Sequence, residues 1–183
     1  FHLDPLWADG NIDFAGIDNY MPLSDWRDEA GEADEAYGAI YNLDYLEANI
    51  RGGEGYDWFY ASQEARDAQI RTPITDTEHS EPWVWRYKDI VNWWSSDHHE
   101  RVDGVRSDEP TAWIPQSKPI WFTELGCAAI NKGTNQPNKF LDPKSSESSI
   151  PYYSTGRRDD LIQMQYLRAH YDWLAYYRRQ GET

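Results

Sequence analysis

The chain has 183 residues, enough for one domain with a sizeable core, and no apolar run approaches membrane-spanning length. Acidic residues number 32 against 17 basic ones, a net charge of -15, which argues against a nucleic-acid backbone as partner because phosphate contacts need Lys and Arg. The single cysteine, Cys127, excludes an internal disulfide.

The opening "FHLDPLWADG" has no initiator Met and no signal-peptide pattern, and "YRRQGET" ends the chain just past a helical stretch. Both ends predict a piece cut from a longer polypeptide. The first strong element is a strand over 12–18 within "NIDFAGIDNYMPL". Its nearly continuous apolar character fits a parallel strand covered on both faces. It runs out into Asp18, Asn19 and Tyr20 before Pro22. "SDWRDEAGEADEA" (24–36) follows, joining Trp26 and Arg27 to an acidic run that reads as a solvated loop. Trp26 is a candidate sugar platform.

Short helices are expected near 43–51, 62–71 and 86–95, punctuated by Gly52, Gly53, Gly55, Pro73 and Pro82. "SDHHE" (96–100) sets His98 beside His99. Adjacent histidines cannot share a helical face, so no metal site is expected. "PIWFTELG" (119–126) repeats the first strand's pattern and sets Glu124 at its end, just before Gly126. Residues 131–156 are rich in Gly, Pro, Ser and Asn and read as a long loop. A final helix over 159–178 carries a core stripe of Met164, Leu167, Tyr171 and Leu174, widened by Tyr166, His170, Trp173 and Tyr177.

The order is therefore strand, long excursion, strand, long loop, helix. Polar residues gather at the C-terminal ends of both strands, as on the working face of an α/β barrel. Two strands make about a quarter of such a barrel, so the chain is expected to be a single-domain fragment (1–183) of one.

A carboxylate ending a buried strand is costly unless paired or used. In glycoside hydrolysis one carboxylate serves as nucleophile or base and a second as acid, about 5–5.5 Å apart when configuration is retained. Glu124 fits the first role, and the alternative is a structural pairing with Arg27 or Arg86. Asp18 and Tyr20 end the neighbouring strand and are placed to serve the same site, or to cap it. Ten Trp, thirteen Tyr and five Phe make up 15% of the chain, many beside polar neighbours, as in "YDWFYAS", "PWVWRYKD" and "VNWWSSDHH". Half-buried rings among hydrogen-bonding groups suit a carbohydrate cleft, and they equally suit a loop-rich domain pinned by aromatics. On the cleft reading Trp26, Arg27, Trp58, Trp83, Trp85 and Trp121 join Asp18 and Tyr20 as substrate-binding candidates. No phosphate loop and no Ser-His-Asp spacing is present, and no cofactor or metal is expected.

The segments "HLDPLWADGNIDFAGIDNYMPLSDWRD", "GGEGYDWFYAS", "RTPITD", "PWVWRYKDIVNWW", "PTAWIPQSKPIWFTELGC", "NKGTNQPNKFLDPKSSES" and "RDDLIQMQYL" resemble the glycoside-hydrolase-like TIM-barrel domain of the large tail protein of gene transfer agents and related phages. The resemblance spans nearly the whole chain. It implies a host-specificity or baseplate protein of a particle tail, made in the bacterial cytoplasm and acting at the cell surface. Its implied partners are envelope carbohydrate and other tail proteins, with neither nucleic acid nor membrane insertion. The fold implied is the C-terminal portion of a (β/α)8 TIM barrel with a long insertion after its first strand. The strand near 12–18 resembles the sixth and that near 119–125 the seventh, with helix 159–178 after it. Glu124 then matches the nucleophile of a retaining glycosidase. The acid/base residue would fall outside this chain, so a glycan-binding or scaffold domain without activity is the alternative.

Overall fold

The computed structural model describes residues 1–146 and 148–180. In chain order the elements are α1 (Asp4–Trp7), β1 (Ala15–Asn19), α2 (Leu43–Ala48), β2 (Trp58–Phe59), α3 (Gln63–Asp67) and β3 (Thr72–Pro73). They continue with α4 (Ile90–Ser95), β4 (Arg101–Val102), β5 (Val105–Arg106), β6 (Ile120–Leu125) and α5 (Asp160–Gln180). Tighter 3-10 turns occupy Glu35–Tyr37, Pro82–Trp85 and Gly133–Asn135. Strands associate as three pairs, β1 with β6, β2 with β3 and β4 with β5, so the described residues form no closed barrel. Position 147, inside the expected 131–156 loop, lies outside the described residues. The chain divides into two compact units, residues 1–19 with 89–124, and 20–88 with the described residues from 125 onward.

The first unit is built on β1 and β6. The Ala15 N–H donates to the Pro119 carbonyl at 3.0 Å, and the Thr123 hydroxyl donates to Asp18 at 2.6 Å. Register advances in the same direction on both strands, so they run parallel. Gly16 is small for a reason: a Cβ there would stand 3.2 Å from Thr123 Cγ2. Pro5 opens α1, where a missing N–H costs nothing, and the Asp89 side chain caps α4 by accepting from the Asn92 N–H at 3.2 Å. Asp103 and Gly104, with φ of 50° and 83°, turn β4 into β5, because a two-residue hairpin turn of matching twist needs both left-handed.

His98 anchors this unit. Fully buried, it stacks on Trp113 with centroids 5.4 Å apart, while its Nδ1 meets Asp4 Oδ2 at 2.8 Å and its Nε2 meets the Trp93 carbonyl at 2.7 Å. A carbonyl only accepts, so Nε2 carries a hydrogen. His99 turns instead to the Ser107 carbonyl. Each histidine has its own protein partner, and among the described residues no cluster of His, Cys, Asp and Glu is arranged to hold a metal ion.

The second unit packs α5 against α2 around Leu23, Tyr45, Leu46, Cys127, Tyr166 and Ala169. Burying an aliphatic side chain such as Leu23 or Leu46 contributes about 1.5–3 kcal/mol. The tyrosines are satisfied at their polar tips. The Tyr45 hydroxyl accepts from the Asp25 N–H and donates to Asp34, and the Tyr166 hydroxyl donates to the Met21 carbonyl. The Asn42 side chain caps α2 by accepting from the Asp44 N–H at 2.9 Å.

Two expectations are corrected here. On α5 the face turned inward is Ile162, Tyr166, Ala169 and His170, whereas Met164 is 54% and Tyr171 76% exposed. This helix carries apolar residues on two different faces, and periodicity alone does not choose between them. The acidic run 24–36 is not simply solvated. Asp25, Arg27 and Glu32 are buried, and Asp25 and Asp34 both bind Arg71. Among the described residues no helix is long and apolar enough to cross a membrane.

Candidate functional site

A cavity of 270 Å³ opens in the second unit. That is slightly under the ~300–1,000 Å³ of small-molecule sites, a size for one compact chemical group. Its wall has three parts: the phenols of Tyr20, Tyr87 and Tyr152, the amides of Asn135, Gln136 and Asn138, and the ion pair of Glu54 with Arg66. Pro22 and Pro137 complete it.

Each part is held by local structure. The two terminal nitrogens of the Arg66 guanidinium donate to the two Glu54 carboxylate oxygens, at 2.9 and 2.5 Å. Such bidentate pairing fixes orientation as well as charge. The Arg66 guanidinium also lies over the rings of Tyr152 (4.2 Å) and Tyr60 (4.6 Å). Beside Glu54, Gly55 has a φ of 80°, and a Cβ there would stand 2.2 Å from the Tyr87 ring. Only glycine permits both that backbone and that ring position.

The amide wall is built from the turn at Gly133–Asn135. The Ser24 hydroxyl bridges Thr134 (2.7 Å) and Asn135 (2.5 Å), and the Leu23 N–H donates to the Thr134 carbonyl at 3.0 Å. The Asn135 side chain accepts from the Trp26 N–H and donates to the carbonyls of Trp26 and Tyr152. Gln136 accepts from the Tyr152 N–H at 2.9 Å. Next to it, Tyr153 holds φ at 61°, a region costly for a bulky residue, and the Arg27 guanidinium covers its ring at 4.3 Å.

A buried charge network supports this wall. Arg71 binds Asp34 through two nitrogens, at 3.0 and 2.9 Å, and Asp25 at 3.1 Å. Its guanidinium covers the Trp58 ring at 4.2 Å. Asp25 also accepts the Tyr60 hydroxyl at 2.6 Å, and burial together with that bond pushes the phenol up to about 12. Tyr60 thus links the Arg66 guanidinium to Asp25 and on to Arg71. Arg27 donates to the carbonyls of Arg66 and Asp67.

The residues expected from sequence fall in different places. In the second unit, Tyr20 lines the cavity. Arg27 belongs to the buried network, and Trp58 lies under Arg71. Trp26 packs edge-on against Tyr45, at 5.9 Å, beside the core. Trp83 and Trp85 lie on the turn Pro82–Trp85, where Trp85 is 55% exposed.

In the first unit, Trp121 is 56% exposed and stacks on Phe14, with centroids 4.2 Å apart and planes at 14°. Asp18 is exposed and accepts from Thr123. Side chains alternate along a strand, so Trp121 and Thr123 share a face of β6 with Asp18 opposite them. Glu124, exposed near the end of β6, projects from the other face. The structure therefore gathers Asp18, Thr123 and Trp121 together and sets Glu124 apart from them.

Glu54, Arg66, Tyr87, Asn135, Gln136, Asn138 and Tyr152 are the cavity residues that sequence reasoning missed. A charged residue between glycines in "GGEGY" and the amide run in "NKGTNQPN" were the available signals.

No curated protein matches the chain. The family model described as the GTA TIM-barrel-like domain matches residues 1–182. With that match covering nearly its whole length, the chain belongs to the GTA TIM-barrel-like domain family of gene transfer agents.

Proposed function

We propose that this domain recognises carbohydrate of the bacterial cell envelope as part of a gene transfer agent particle, through the cavity of its second unit. The observation that carries the reading is the wall itself, three phenol rings and three amides around a small space. Flat sugar faces pack on rings, and hydroxyls exchange hydrogen bonds with phenols and amides. In this reading the domain sits at the particle tail beside other tail or baseplate proteins. The strands near 12–18 and 119–125 act as the sixth and seventh of a (β/α)8 barrel, and residues 21–118 are the insertion that carries Pro22, Glu54, Arg66 and Tyr87 of the cavity wall.

The test is retention on immobilised envelope polysaccharides. Tyr87→Ala should weaken retention about tenfold, the loss of one good ring contact, with little change in melting temperature because Tyr87 is 57% exposed. Equal retention of the two proteins would remove the cavity from the recognition event.

A second reading, retaining glycoside hydrolysis, is favoured by one feature: Glu124 is an exposed carboxylate near the end of a strand in a parallel pair. Glu124 would be the nucleophile, with the acid/base carboxylate supplied from outside this chain. Glu124→Gln should then abolish release of reducing ends, because an amide does not form the covalent glycosyl intermediate. Stability should shift by less than about 0.5 kcal/mol, as for an exposed site. Undiminished hydrolysis by the folded Gln variant would dismiss the nucleophile role and leave recognition alone.

A further inference from the structure

We propose that the Glu54–Arg66 pair sets the charge of the ligand this cavity takes, admitting an uncharged saccharide and turning away one that bears a carboxylate. The inference rests on the carbohydrate reading above and adds the class of sugar. Among the described residues lining the cavity, Arg66 is the one cation and Glu54 the one anion. Glu54 engages both terminal nitrogens of the guanidinium, and the rings of Tyr60 and Tyr152 lie against it.

The end-on fork of the guanidinium and its charge are thus already matched by Glu54. A ligand carboxylate that approached the guanidinium would stand beside the Glu54 charge or have to displace it, and either is unfavourable. The chain's net charge of -15 works in the same direction. What the wall still offers is neutral. The hydroxyls of Tyr87 and Tyr152 and the Asn138 side chain make no hydrogen bond within the described residues, and the Gln136 amide nitrogen is likewise unused. These groups both donate and accept, so they match sugar hydroxyls and acetamido groups.

Two substitutions separate this idea from its alternatives. Glu54→Gln keeps the shape of the pair while leaving the guanidinium uncompensated. Arg66→Gln does the reverse. Binding is measured by calorimetry with three probes: a neutral N-acetylglucosamine tetramer, an anionic galacturonic acid tetramer and a cationic glucosamine tetramer.

The unsubstituted protein should prefer the neutral probe to the anionic one by at least about tenfold, the value of one charge-assisted hydrogen bond. Glu54→Gln should raise affinity for the anionic probe by about tenfold, in a manner that added salt weakens. Arg66→Gln should raise affinity for the cationic probe by a similar factor. The double variant should return to the neutral preference.

If the unsubstituted protein binds the neutral probe and neither single variant shifts its charge preference, the charge rule is overturned and the carbohydrate reading stands. If the variants gain their charged probes while the neutral probe never binds, the charge rule stands and neutral saccharide is the wrong ligand class. Failure of every probe with every folded protein overturns both. Should Glu54→Gln not fold, the Arg66→Gln arm decides alone.

Discussion

Arg71→Met lowers the unfolding free energy by about 3 kcal/mol, read from urea denaturation midpoints at pH 7. Arg71 is the hub of the buried network. It faces the carboxylates of Asp25 and Asp34, whose side chains are 4% and 12% exposed. Methionine fills much the same volume, so the expected loss is electrostatic and comes from two carboxylates left without their cation. The cost falls at the low end of the usual range because Arg27 stays 3.9 Å from Asp25, and because Tyr45 and Tyr60 still donate to the two carboxylates. Stacking over Trp58 is lost as well.

Two companions test the cause. Arg71→Lys keeps the charge but not the fork, so it should lose about half as much. Adding Asp34→Asn to Arg71→Met should cost less than the two single losses combined, because the second change removes the charge that the first left stranded. A loss under about 1 kcal/mol for Arg71→Met would mean that the network orders the cavity wall without stabilising the fold.

That network shows where the sequence stops being readable. Asp25, Arg27 and Asp34 stand in a run that looks like a solvated acidic loop, and their cation comes 46 residues after Asp25 and 37 after Asp34. Nothing local marks the pairing. The cavity is similar: Tyr20, Glu54, Tyr87, Asn135 and Tyr152 come from separate loops and turns, which have no period to read, and Arg66 from the short helix α3. Strands and the long helix were legible for the opposite reason. "PIWFTELG" is bracketed by Pro119 and Gly126, and its strand is Ile120–Leu125. The helix begins beside Asp159, whose side chain accepts from the Ile162 N–H at 3.1 Å. Which stripe of that helix turned inward was decided by the loops packed on it. Tyr166 was chosen because the Met21 carbonyl receives its hydroxyl, and Gln165 because the Tyr41 carbonyl receives its amide.

Stability should climb as pH rises from 7 towards 10 and fall beyond it, with Lys88 responsible for the climb. The Lys88 side chain is 3% exposed, and its Nζ donates to the carbonyls of Pro22 and Gly52, each at 2.7 Å. Burial pulls its pKa down from 10.5 to about 7, against the opposing pull of Glu54 and Asp57. A neutral amine keeps two N–H groups, so both carbonyls remain paired after the proton leaves. Between about pH 7 and 10.5 the unfolded chain therefore binds the extra proton and the folded chain does not. Stability then rises with pH, by as much as about 1.4 kcal/mol per unit.

His170 adds to the same trend lower down. Burial depresses its pKa, so stability is lost as pH falls below about 6.5 and the unfolded chain takes up that proton first. The tyrosines act oppositely at the alkaline end. Tyr41, held by its bond to Asp159, and Tyr60, held by burial, are both pushed up to about 12, and burial pushes Tyr45 and Tyr166 higher still. Above pH 10 their unfolded counterparts ionise first, and stability falls. The maximum is expected between about pH 9 and 10. Denaturation midpoints taken at half-unit steps, for the protein and for Lys88→Met, isolate the lysine: the variant's profile should lack the climb above about pH 7 and should decline as the unfolded tyrosines begin to ionise. Parallel profiles would show instead that Lys88 stays an ammonium in the fold, its charge held by the two carbonyls.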